Sequence, residues 1–188
     1  MEYKVICVTN RHLVNGNLCT HLARIFKSLN KPDILILREK DMQIDEYTDL
    51  AKKVSKLCKD NDVICILHSF KDVAKDTKAD GIHFSFSAFS TMPESEKKKF
   101  NIIGVSVHSK KEAKEAQKLG ASYIIAGHIF ETECKKGVCP RGLSFLKEIC
   151  NEVDIPVYAI GGINEMNAAL CIEAGAAGVC MMSGFTNI

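Results

Sequence analysis

The sequence predicts an α/β protein, a single (β/α)8 TIM barrel over residues 1–188. Three observations predict it. Short apolar runs rich in Val and Ile occur eight times. Amphipathic, charged stretches separate them, so a strand–helix unit recurs about every 20–25 residues. No stretch rich in Pro, Gly or Ser interrupts the repeat, so no linker or second domain is expected. The runs are apolar on both parities, which suits strands covered on both faces of a parallel sheet. Eight successive units favour closure into a barrel over an open doubly wound sheet. The first run also lacks the GxGxxG that would follow it in a dinucleotide fold.

The elements follow in order. The first run is Val5–Val8 and the second Ile34–Leu37, which leads into Arg38, Glu39 and Lys40. Tyr47, Leu50, Ala51, Val54 and Leu57 then recur at three- and four-residue steps, as on one face of a helix. Val63–Leu67 ends at His68 and Ser69, and Gly81–Phe84 carries His83 and leads to Ser85. Lys97, Lys98 and Lys99 follow Glu94 and Glu96 and read as a solvated helix face. Ile102–Val107 leads to His108, then to a helix with Ala113, Ala116 and Leu119 on one face and Gly120 as its C′ residue. Tyr123–Gly127 meets His128 and the loop ETECKKGVCPRG. Val157–Ile160 meets Gly161 and Gly162, and helical spacing runs from Ile163 to Ala174, ending at Gly175. Gly178–Met182 leads to Ser183 and Gly184, and the chain stops at Ile188. The barrel is therefore expected to lack most of its last helix, leaving an apolar flank for a second subunit.

Composition narrows the function. Hydrophobic residues make up 46% and charged residues 26%, with a net charge of +2 and no long basic block, so no nucleic-acid partner is expected. No apolar run reaches the roughly 18 residues of a membrane span. The start, MEYKVICVTN, lacks the pattern of a secretory signal. Nine cysteines is an odd number, and Cys7, Cys65 and Cys180 sit inside apolar runs, which suits free thiols in a reducing cytoplasm. Cys134 and Cys139 have neither CxxC spacing nor a matching second pair, so neither zinc nor a redox couple is expected there.

Barrels of this kind carry their chemistry at the C-terminal ends of the strands. At ends seven and eight, Gly161, Gly162, Ser183 and Gly184 offer flexible amides and a hydroxyl, as a phosphate requires. Such glycines also make tight turns, but the two loops carry the feature together. Arg38 and Lys40 share one strand face and point to an anion or a carboxylate, unless Glu39 neutralises them. Lys135, with Lys136, offers a basic loop over the mouth. His128 is the leading acid–base candidate, since an imidazole takes and gives a proton near neutrality. His68, His83 and His108 occupy comparable positions. No HxH or HxxxH pair accompanies them, so no metal is expected.

The stretches VTNR (8–11), ILILREK (34–40), ADGIHF (79–84), IIGVSVHS (102–109), ASYIIAGHIFETECKKG (121–137), RGL (141–143), IPVYAIGGIN (155–164) and AGAAGVCMMSG (174–184) together resemble the thiamine phosphate synthase/TenI superfamily. The synthase joins a thiazole phosphate to a pyrimidine pyrophosphate with magnesium, using Asn-Asp-Arg after strand 3 and Gly-Gln-x-Asp after strand 4. Here Ser69 and Ala88 stand where the aspartates are expected. GHIFETECKKG instead looks like the TenI-type thiazole tautomerase, whose motif histidine falls on His128. The resemblance implies a cofactor-independent isomerase of thiamin biosynthesis, which aromatises a carboxythiazole phosphate tautomer. It also implies a small phosphorylated thiazole as ligand, Ser106 as an orienting hydroxyl, and a homodimer. A synthase-like transferase and a non-catalytic phosphate-binding or regulatory barrel are the alternatives.

Overall fold

The computed structural model describes residues 3–185. The strands are β1 (Lys4–Val8), β2 (Ile34–Leu37), β3 (Ile64–His68), β4 (Gly81–Ser85), β5 (Ile103–Val107), β6 (Tyr123–Gly127), β7 (Val157–Ile160) and β8 (Gly178–Met181). All neighbours are parallel, and β8 pairs with β1, so the sheet closes in sequence order. The (β/α)8 barrel expected from the sequence is thus present.

Strand parity divides the core in two. Ile6 and Val8, Ile34 and Ile36, Ile66, Tyr123 and Ile125, Tyr158 and Cys180 fill the barrel interior. Their alternates, including Cys7, Leu35, Leu37, Leu67, Val105 and Val179, pack outward against the helices. Both faces are buried, which is why the runs read as continuously apolar. Gly104 lies beside the Tyr123 ring and His83 Nδ1, and a Cβ there would overlap both. The interior alternates large and missing side chains to fill its cross-section.

Helices α1 (Leu18–Ile25), α2 (Ile44–Lys59), α3 (Lys71–Asp76), α4 (Phe86–Ser90), α5 (Glu94–Lys97), α6 (Lys110–Lys118), α7 (Gly142–Glu152) and α8 (Ala168–Glu173) connect the strands. In α2, Tyr47, Ala51, Val54 and Cys58 are buried at the expected spacing. Ser109 caps α6 by accepting from Glu112 N at 3.1 Å, and Gly120 takes φ +89° just beyond its end.

Two expectations are corrected. Lys97 does not lie on a solvated face. It is buried, with Nζ 4.3 Å from the Phe89 ring centre and donating to Leu119 O at 3.4 Å. Its aliphatic stem packs inward while its charge finds a ring face and a carbonyl. The last helical spacing also begins late. Asn164 and Asn167 bond to the backbone of 162–166, hold those residues in turns, and delay α8 to Ala168.

After β8 the chain makes a 3-10 turn over Ser183–Phe185. Phe185 is buried against α1, and His21 Nε2 donates to its carbonyl at 2.7 Å. Residues 186–188, where the expected shortfall of the last helix falls, lie outside the described residues. Met166, just before α8, and Leu170, within it, are exposed apolar side chains.

Candidate active site

A cavity of about 350 Å³ opens at the C-terminal ends of the strands. Inward parity brings Arg38 and Lys40 beyond β2, His68 on β3, His83 and Ser85 on β4, and Ser106 and His108 at the end of β5 into its wall. His128 and the loop residues Thr132, Cys134 and Lys135 follow from β6, and Gly161, Gly162 and Ser183 from β7 and β8. Of the residues predicted from sequence, Gly184 does not line the cavity. Its Cβ position faces the Met181 side chain, because the 3-10 turn rotates it away. Lys136 is likewise outside, beside Glu133 at 3.9 Å.

The wall is basic. Arg38, Lys40 and Lys135 face the cavity, and no lining residue is a carboxylate. Glu39 has the opposite parity and turns behind the wall, 2% exposed. It accepts from Thr9 Oγ1 at 2.6 Å, Arg11 N at 3.1 Å and Arg11 Nη1 at 3.3 Å. Thr9 Oγ1 in turn accepts from Arg38 N at 2.9 Å. Glu39 therefore does not neutralise Arg38 and Lys40 but anchors the backbone that carries them. Desolvation, then the neighbouring Arg38, lowers the Lys40 ammonium pKa. An anion in the cavity would relieve that unbalanced charge.

The four histidines differ in what holds them. His68 Nδ1 lies 2.6 Å from Ser69 Oγ; burial, then Lys40 and Arg38, bring its pKa down to about 3. His83 Nε2 meets Ser106 Oγ at 2.8 Å and Nδ1 meets Tyr123 Oη at 3.2 Å. Burial, then His68 and the same two cations, holds its pKa well below the ordinary value. Both imidazoles are neutral at pH 7. His128 is buried, and its Nε2 bonds to Val138 O at 3.1 Å. A carbonyl only accepts, so Nε2 carries a proton, and in the neutral ring Nδ1 is the unprotonated nitrogen. His108 Nδ1 donates to Gly127 O at 3.1 Å, which leaves Nε2 as the nitrogen without a hydrogen-bond partner among the described residues.

Gly161 has φ +104° and a Cβ there would overlap His128 Cβ; at Gly162, φ +65°, it would overlap Glu131 O. These glycines admit the β6 loop, which bonds through Ile129 N to Ile160 O at 2.9 Å and Phe130 N to Gly161 O at 3.0 Å. Gly162 and Gly161 also line the cavity. Ser85 was expected at the end of the fourth strand without a role, and the supporting role of Tyr123 was not expected at all. Parity signals Ser85, but nothing local links Tyr123 to a residue 40 positions away.

The magnesium implied by the synthase resemblance does not fit these residues. Ser69 Oγ is held by His68, and Ala88 lies in α4 with its N–H on Ser85 Oγ at 3.4 Å. The lining supplies imidazoles, hydroxyls and a thiol, not the carboxylate oxygens that magnesium takes. Among the described residues no cluster of three His, Cys, Asp or Glu is poised to hold a metal.

The fold and the cavity define a (β/α)8 barrel with a basic, histidine-lined mouth. The chain belongs to the thiamine monophosphate synthase (TMP-TENI) family, whose model matches residues 5–185. It is 35% identical to a putative thiamine-phosphate synthase 2 of Aquifex aeolicus, over 97% of both chains. It is also 35% identical to a thiamine-phosphate synthase of Clostridium acetobutylicum, covering 98% of this chain and 87% of that one. Among solved structures it resembles a thiamine phosphate pyrophosphorylase from Pyrococcus furiosus, with TM-score 0.83, 30% identity and coverage of 97% and 88%. These relatives bear the synthase name, the activity the sequence reading held as an alternative.

Proposed function

We propose that the protein is a thiazole tautomerase of the TenI type, moving a proton from ring carbon C2 of a carboxythiazole phosphate tautomer to its exocyclic carbon. The observation that carries this reading is a cavity with three cations, no carboxylate, and His128 held with Nδ1 as a base. The substrate phosphate sits by Gly161, Gly162 and Ser183, and the carboxylate faces Arg38 and Lys40. Ser106, steadied by neutral His83, orients the ring, and Lys135 closes over it. Proton transfer between two carbons leaves the oxidation state unchanged, so no redox cofactor is required. A positioned imidazole supplies roughly 10²–10⁴-fold. A homodimer in a reducing cytoplasm completes the reading, with nine free cysteines in keeping; light scattering tests the dimer.

The test is proton NMR of the purified protein with the exocyclic tautomer in D₂O. Conversion above the spontaneous rate, lost in His128→Asn while phosphate-ligand binding stays within about threefold, is the expected result; full turnover in that variant sinks the role of His128. The relatives' names favour a second reading, the synthase. The same sample with thiazole phosphate, pyrimidine pyrophosphate and magnesium tests it: coupling without tautomerisation replaces our reading with that one.

A further inference from the structure

An imidazole that removes a proton at one carbon does not by itself settle which group delivers a proton to the other. The cavity holds a second imidazole suited to delivery. His108 lines it and hydrogen-bonds through Nδ1 to the carbonyl of Gly127, the residue that immediately precedes His128. Its main chain is pinned as well: His108 N donates to Glu112 Oε2 at 2.6 Å, and Glu112 N donates to the capping Ser109 Oγ. The two rings thus keep opposite nitrogens out of hydrogen bonds with the described residues, Nδ1 of His128 and Nε2 of His108, and stand on adjoining pieces of backbone. Their surroundings also differ. His128 is buried, whereas His108 is exposed at the mouth, where water can recharge it.

We infer that His108 is a second catalytic residue of this cavity: as the imidazolium, charged by a proton from solvent, it delivers the Nε2 proton to the exocyclic carbon while His128 Nδ1 takes the proton from C2. The inference rests on the tautomerase reading. The C2–H bond breaks and its electron pair joins the ring π system; the exocyclic double bond yields a pair to the new C–H bond. One proton leaves the substrate and one enters it. His128 ends as an imidazolium and His108 as a neutral ring that keeps its Nδ1 proton; loss of a proton to water at the first and gain of one from water at the second restore both.

His83 is a poor candidate for delivery, because both its nitrogens are engaged. His68 is neutral, held by burial and by the two cations beside it. Lys40 and Lys135 remain as rival donors.

The first test uses unmodified protein and substrate deuterated at C2, in H₂O. A two-residue relay leaves less than about 5% of the label at the exocyclic carbon; substantial transfer of label means that His128 alone shuttles the proton and overturns the inference. The second test is His108→Asn, whose amide keeps a donor near Nδ1 but has nothing in place of Nε2. We expect kcat to fall about 10²-fold with KM within threefold, and an unchanged melting temperature to report an intact fold. Wild-type kcat in His108→Asn assigns the proton to Lys40, Lys135 or water and overturns the inference while leaving the tautomerase standing. Absence of turnover in the unmodified protein overturns the tautomerase reading itself.

Discussion

Glu39 stands between two cations in sequence and pairs with neither. Strand parity sends its carboxylate behind the wall to Thr9 and Arg11, while Arg38 and Lys40 face the cavity. The same parity seats His68 and His83 among those charges, and it leaves a mark on stability. In the unfolded chain both imidazoles protonate as pH falls through about 6.5. In the folded chain His68 resists until about 3, and His83 is shifted in the same direction. Their contribution is therefore complete above pH 6.5 and drains away between there and about 3. At pH 5, where carboxylates have taken up few protons, His68 withdraws on the order of 2 kcal/mol. Thermal melts from pH 7 to pH 5 should show the decline, and His68→Gln should flatten it. A wild-type melting temperature that stays level across this window removes the neutral-imidazole assignment.

At the scale of elements, the strand ends must be held in register for the wall to form. Tyr47 of α2 does this for β2 and β3. Its buried hydroxyl donates to Leu37 O at 2.8 Å and accepts from His68 N at 3.3 Å. Tyr47→Phe keeps the ring but strands a buried carbonyl. We expect a loss of about 1–3 kcal/mol in urea denaturation, with an unchanged denaturant slope. A loss below about 0.5 kcal/mol would mean that water replaces the hydroxyl. The eight strands were legible within about one residue, because burial on both faces writes an apolar run into each. Helices α2 and α6 were legible from their periodicity. Lys97 was not, since a lysine whose stem is buried has the same local signal as a solvated one. The late start of α8 was also hidden, because the Asn164 and Asn167 bonds compete with a helix whose apolar spacing looks continuous.

For the whole molecule, the consequence is a cavity that concentrates positive charge although the chain carries only +2 overall. Inorganic phosphate should therefore stabilise the fold. At a hundred times its dissociation constant it contributes about 2.7 kcal/mol, and the gain should shrink as sodium chloride is raised at fixed phosphate. A melting temperature indifferent to phosphate removes the anion site. The residue types of that site were readable in advance, since strand ends are where a barrel exposes side chains, and Arg38, Lys40, His128, Gly161 and Gly162 all stand there. Gly184 was misplaced because a 3-10 turn, not an extended strand, follows Met181. Order along the chain sufficed for the barrel and its list of chemically able side chains, because periodicity and burial are local properties. Which nitrogen of His128 is free, which way Glu39 turns, and that Tyr123 steadies His83 depend on contacts between distant or loop residues. Those contacts exist only once the sheet has closed and its loops have folded back over the strand ends.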